Sequence, residues 1–122
     1  MWIFTKYGFY SVVEHKDNAA VVQIRARVKK HLENLIKRFA FLSDVEILEL
    51  ADSDYQFRFN CNKVYWEQIA KGLASDVRYP NFKNECHDTP ELTDPDYQNA
   101  LMDVWGRMAQ TQEREIGTFD LD

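Results

Sequence analysis

Residues 18–39, Asn18-Ala19-Ala20-Val21-Val22-Gln23-Ile24-Arg25-Ala26-Arg27-Val28-Lys29-Lys30-His31-Leu32-Glu33-Asn34-Leu35-Ile36-Lys37-Arg38-Phe39, decide the fold, because two periodicities compete for them. Val22, Ile24, Ala26 and Val28 alternate with Gln23, Arg25 and Arg27, the period of a strand with one buried face. Val21, Ile24, Val28, Leu32, Leu35, Ile36 and Phe39 also fall on one arc at about 100° per residue, which a single helix from Asn18 to Phe39 would satisfy. Strand followed by helix is the preferred reading. Val21-Val22-Gln23-Ile24 is β-branched, and the good helix formers gather from Lys29 onward, so the boundary is expected near Val28.

Upstream, Phe9 to Glu14 reads as extended and His15-Lys16-Asp17-Asn18 as a polar turn, which makes a hairpin with the strand just described. The residues before it, Trp2 to Tyr10, hold five aromatic rings and read as a packed strand where many chains have a polar tail. Downstream of the helix over Lys29 to Phe39, Val45 to Leu50 and Tyr55 to Asn60 read as strands joined by a turn at Ala51-Asp52-Ser53-Asp54. Asn62 is placed to cap a helix carrying Trp66, Ile69, Ala70 and Leu73 inward and fading near Ser75-Asp76. Residues 76–93 read as irregular, with Val77, Tyr79 and Phe82 tacking them to the body. Asp94-Pro95 starts a last helix whose buried face is expected to be Tyr97, Leu101, Val104, Trp105 and Met108, with Gly106 permitting close packing.

This order predicts an α+β fold: a ferredoxin-like sandwich, circularly permuted to ββαββα, with an additional C-terminal helix. The N-terminal strand would take the sheet position that a ferredoxin-like domain completes with its last strand. A chain of 122 residues, 45% apolar and with four glycines and three prolines, is expected to form one domain over residues 1–122. No apolar run approaches the length needed to span a bilayer, and no secretory signal is recognisable, so the expected location is cytoplasmic. A formal charge of −5 argues against nucleic acid as a partner.

Trp2-Ile3-Phe4-Thr5-Lys6-Tyr7-Gly8-Phe9, Ile24-Arg25-Ala26-Arg27 with His31-Leu32-Glu33, Tyr79-Pro80-Asn81-Phe82-Lys83 and Val104-Trp105-Gly106 resemble a family of small bacterial proteins with this type of N-terminal segment. The likeness covers most of the chain. No activity is assigned to that family, so the resemblance implies a bacterial cytoplasmic protein and transfers no catalytic residue.

The residues themselves name no chemistry. His15, His31 and His87 form no i, i+4 ligand pair, and Glu85-Cys86-His87-Asp88 are too close in sequence to close on one ion, so no metal or other cofactor is expected. Cys61, at a strand-to-helix junction, and Cys86 are expected to be buried bystander thiols. GxGxxG, Walker A and GxSxG patterns are missing, no catalytic residue is assigned, and the expectation leans away from an enzyme.

Three surfaces remain. Arg25, Arg27 and Arg58 are expected on the sheet face away from the helices, where they would hold a small anion with Lys6 and Tyr7 unless Glu14, Glu46 or Glu49 pairs with them. Tyr55, Phe57 and Phe59 face the core in one register; in the other they are exposed and would stack RNA bases. Trp2, Phe4, Phe9 and Tyr10 are interface candidates, because alternation places large rings on both sheet faces. The leading expectation is a non-enzymatic interaction domain, homodimeric or bound to another protein. Small-anion binding is the alternative and RNA binding the third.

Overall fold

In the computed structural model, which describes residues 1–120 and the side chains of residues 1–116, the competition over residues 18–39 resolves as strand then helix. The last two residues of the expected domain, 121 and 122, lie outside the described residues. Strand β3 (Asn18–Ala26) buries Val22, Ile24 and Ala26, while Gln23 and Arg25 point to the opposite face. Val28 keeps an extended backbone, and α1 (Lys29–Arg38) begins at the next residue. Strand β2 (Gly8–His15) runs antiparallel to β3, and the turn between them is held locally. His15 Nδ1 accepts from the Asp17 N–H at 3.1 Å, and Asn18 Oδ1 from the Ala20 N–H at 3.0 Å.

The aromatic N-terminal segment is two strands, not the one expected. β1 (Trp2–Thr5) turns at Lys6-Tyr7 and pairs antiparallel with the start of β2. Thr5 Oγ1 accepts from the Tyr7 and Gly8 N–H groups and donates to Gly8 O at 2.9 Å, so one hydroxyl closes the turn. Gly8 has φ +148°, and a Cβ there would stand 2.2 Å from His31 Cγ, which only glycine avoids. The sheet therefore has five antiparallel strands in the order β1-β2-β3-β5-β4.

The second hairpin has a shorter first strand than expected and a second strand shifted two residues toward the C-terminus. β4 is only Leu48–Glu49, and β5 is Phe57–Asn62. Tyr55 leaves the strand: Asp54 Oδ1 accepts its N–H at 2.9 Å, and its ring crosses to the face bearing Arg25 while Phe59 points into the core. Neither register imagined for Tyr55, Phe57 and Phe59 as a set is adopted, because Tyr55 parts from the other two. Asn62 ends β5 and caps α2 (Lys63–Ser75) by accepting from the Val64 N–H at 3.1 Å, as its position predicted.

Helices α1 and α2 cover one sheet face. Tyr10 and Val12 from β2, Val22, Ile24 and Ala26 from β3, and Phe59 and Cys61 from β5 meet Leu32, Leu35, Trp66, Ile69 and Leu73 there. Gly72 lies against Phe39, where a Cβ would come within 2.3 Å of the ring, so it lets the two helices approach.

Residues 76–93 contain a helix that the pattern did not announce, α3 (Phe82–Asp88), capped by Asn81 through the Asn84 N–H at 2.9 Å. Val77, expected to tack this segment down, is exposed. Helix α4 (Pro95–Asp120) starts as predicted, with Asp94 Oδ1 accepting from the Tyr97 N–H at 3.0 Å. Tyr97, Leu101 and Cys86 form a second, smaller core against Phe4, Phe9 and Phe82, on the far side of the β1–β2 hairpin. The expected buried face stops at Leu101. Val104 is exposed, as are Trp105 (58%) and Met108 (60%); Trp105 is met by Lys83, whose Nζ stands 4.3 Å from the ring centre, and no core residue packs against the helix beyond Leu101 among the described residues. A Cβ at Gly106 would meet no atom within 4 Å, so the close packing expected there is not made within the chain. Among the described residues, no helix is long and apolar enough to cross a membrane.

Candidate functional site

Cross-strand register places Arg25 of β3 directly beside Arg58 of β5, both on the face away from α1 and α2. Arg25 Nη2 donates to Ser11 Oγ at 2.7 Å. Arg58 Nη2 donates to Ser53 Oγ at 2.6 Å and to Tyr55 O at 2.8 Å, and Arg27 Nη1 to Asp54 O at 3.0 Å. The guanidinium carbons of Arg25 and Arg27 lie 4.6 and 4.5 Å from the centre of the buried Tyr55 ring. Two cations on one ring gain cation–π attraction and are fixed in direction. None of the expected carboxylate partners reaches them: among the described ion pairs, Glu49 pairs with Lys29 at 3.3 Å, and neither Glu14 nor Glu46 pairs with an arginine. The Nε atoms of Arg25 and Arg58 are buried without a hydrogen-bond partner. The result is a pre-oriented cationic surface whose compensating acceptors are backbone and hydroxyl oxygens.

Lys6 and Tyr7, expected to join these arginines, belong to another cluster. The Tyr7 hydroxyl donates to Asp76 Oδ2 at 2.6 Å, and Arg38 grips the same carboxylate through Nε at 2.9 Å and Nη2 at 2.8 Å. Lys6 Nζ lies 3.6 Å from Glu85 Oε1. The Arg38 hydrogen bonds hold the Asp76 carboxyl below its usual range, while burial, reinforced by the Asp76 charge, pushes the Tyr7 phenol up to about 12. Asp76 thus clamps the β1–β2 turn to the C-terminal ends of α1 and α2.

The interface candidates also separate. Trp2 is 71% exposed, and Phe4 and Phe9 stack at 4.5 Å, half-buried under α4. Tyr10 is wholly buried, its hydroxyl donating to His31 O at 2.6 Å, so it is a core residue and leaves the surface set. Trp2, Phe82, Leu101 and Trp105 line an apolar groove of about 600 Å³ that leads onto the exposed turns of α4.

Where α1 and α4 begin, Phe4, Phe9, Arg27, His31, Asp96 and Tyr97 line a smaller cleft of about 230 Å³. His31 Nδ1 accepts from the Phe9 N–H at 3.3 Å, its ring sits edge-on to Tyr97, and the Tyr97 hydroxyl donates to Thr5 O at 2.7 Å. Burial lowers the His31 pKa against the opposing pull of Asp94, favouring the neutral ring. Sequence reading weighed His31 only as a metal ligand, although Val28, His31 and Leu35 share one helical arc and a histidine there was the available signal for a cleft.

Cys61 and Cys86 are free and buried, and burial pushes both thiols up to about 11, so neither is a thiolate near neutral pH. Among the described residues, no three His, Cys, Asp or Glu side chains are grouped to hold a metal ion. No protein-family model matches the chain, and neither curated proteins nor solved structures include a significant match.

Proposed function

We propose that the chain is a non-enzymatic interaction domain that pairs with a second copy of itself through the overhanging turns of α4 and the adjoining Trp2–Trp105 groove. The observation that carries this reading is the stripe Trp105, Met108, Ala109, Gln112 and Ile116, in which Trp105, Met108 and Ile116 are exposed. A helical extension of this length is marginal in water without a face to pack against. Gly106 costs about 1 kcal/mol relative to Ala in a helix, a cost with no return inside the chain but one that a closely approaching second helix offsets. Charges along the polar flanks alternate in sign from Asp103 and Arg107 to Glu113, Arg114 and Glu115, so no one-signed field holds two copies apart. Sedimentation across a concentration series tests the pairing: a concentration-dependent dimer that Trp105→Glu with Met108→Glu renders monomeric is expected, and a strict monomer at high concentration would sink the reading.

Within this reading β2, β3, β5 and β4, with α1 after β3 and α2 after β5 on a common face, constitute the circularly permuted ferredoxin-like sandwich, and β1, α3 and α4 are additions to it. The order β2-β3-β5-β4 supports this, since it is the order such a permutation produces. The resemblance to small bacterial proteins is the support for a bacterial cytoplasmic setting.

A second reading, anion binding on the sheet, is favoured by the missing carboxylate partners of Arg25 and Arg58 and their unpartnered Nε atoms. It narrows to Arg25, Arg27 and Arg58, because Lys6 and Tyr7 are engaged elsewhere. Thermal shift with phosphorylated metabolites and nucleotides tests it, and a response unchanged by Arg25→Ala with Arg27→Ala would count against it. RNA binding loses its motive, since Phe57 packs against the core and Phe59 lies within it.

A further inference from the structure

The 230 Å³ cleft joins two helix N-termini whose chemistry is opposite. On one wall α1 starts at Val28 with no side-chain cap and no acidic residue in its first turn, so the free amides and the positive end of the helix dipole are left without a counter-charge of their own. Arg27 precedes it and lines the same cleft, with Nη1 held by Asp54 O and the guanidinium stacked on Tyr55, so its charge borders the cleft from the open sheet face. His31 is only 6% exposed, and because Nδ1 accepts the Phe9 N–H, the ring proton of the neutral form is on Nε2. That Nε2–H has no partner among the described hydrogen bonds, and the ring lines the cleft. Nε2 is reached from the cleft rather than sealed in the core, so this donor is open to an acceptor that enters there.

On the other wall α4 starts with Asp94, whose Oδ1 is occupied by the Tyr97 N–H, and with Asp96, whose carboxylate makes no described hydrogen bond or ion pair. Phe4 and Phe9 lie between the two walls. A simple anion entering here meets Asp96, and a simple cation meets Arg27 and the α1 dipole. A molecule carrying both charges satisfies both walls, and the volume is below the usual range of about 300–1,000 Å³ for drug-sized ligands.

We propose that this cleft binds a small zwitterion of free-amino-acid size, its carboxylate toward Arg27, the His31 Nε2–H and the α1 N-terminus, its ammonium toward Asp96 and Asp94, and its side chain over Phe4 and Phe9. The site is separate from the exposed stripe of α4, so it stands or falls independently of self-association. NMR titration of the full chain with each of the common L-amino acids at roughly millimolar concentration tests it, with 3-phenylpropanoate and phenethylamine as analogues of phenylalanine that lack one charge each. The expected result is a shift of the Lys29, Lys30 and His31 resonances by at least one amino acid, with phenylalanine, if it is the one, binding about tenfold tighter than either analogue. Asp96→Asn should erase the preference for the amine and Arg27→Gln the preference for the carboxylate, each leaving the sedimentation behaviour of the wild type. Silence with every amino acid, or an analogue binding as well as its parent, would overturn the proposal.

Discussion

Ile24 and Arg25 are neighbours on β3 and live in different environments. Ile24 sits with Tyr10, Phe59, Leu32, Leu35 and Ile69 in a face closed by two helices, where none of these side chains touches solvent. Arg25 lies on the opposite face, which α3 and α4 cover only over the β1–β2 hairpin and which is otherwise finished by stacked guanidinium groups, a lone tyrosine and serine hydroxyls. One face is built to be shut. The other is part-covered and charged and carries both clefts, so the sealed core and the open surface divide along the plane of a single sheet.

The hairpin β1–β2 is the element both faces share, since Tyr7 and Tyr10 enter one core and Phe4 and Phe9 the other. Deleting residues 1–9 is therefore expected to abolish cooperative unfolding, read by calorimetry; a truncated chain with a sharp transition would show that the closed face stands without the hairpin. Next in size, Phe59→Ala should cost about 3–5 kcal/mol in urea denaturation, a large part of an ordinary domain's stability. Its neighbour Arg58→Ala, on the open face, should cost far less, and equal losses would break the contrast.

The Asp76 clamp should appear as pH dependence at both extremes. Its carboxyl is held below the unfolded value near 3.8, so it contributes stability that is fully present above that value and is lost as pH falls through the folded one. Tyr7 is shifted the other way, and its contribution is present below pH 10 and is lost as pH rises toward about 12. Asp76→Asn should flatten the acid limb of a stability–pH curve; an unchanged limb would show that other carboxylates dominate it. The smallest effect is expected for Arg25→Gln, within about 1 kcal/mol, because losing the Ser11 hydrogen bond and the Tyr55 contact is offset by removing the desolvated Nε. Any anion response should fall with it.

Sequence patterns exposed the closed face more fully than the open one. The alternation from Val22 to Ala26, the cap at Asn62 and the Asp94-Pro95 start are local signals, and each matches the observed element. The Thr5–Gly8 turn was equally local, yet the aromatic run around it hid a threonine followed three residues later by glycine. Tyr55 changes faces because Asp54 holds its amide and Arg25, thirty positions earlier in the chain, receives its ring, and no window of sequence contains both. Helix α3 spans only seven residues, too few for a periodicity to show. For α4, spacing identified an apolar stripe correctly, but whether anything stands opposite a stripe is not a property of the helix. The cleft at His31 was hidden for a similar reason: Arg27 and His31 are close in sequence, whereas Asp96 arrives from a helix more than sixty residues away.

Asn62 is at once the last residue of β5 and the cap of α2, so no linker separates strand from helix. This junction has no slack for length variation. One residue inserted after Asn62 would turn everything beyond it by about 100° around the helix axis, carrying Trp66, Ile69 and Leu73 off the sheet together. Insertions at the exposed turn of residues 50–52, next to a β4 of only two residues, would be absorbed locally. Related chains should therefore differ in length between α1 and β5 and keep the spacing from Phe59 to Leu73 unaltered.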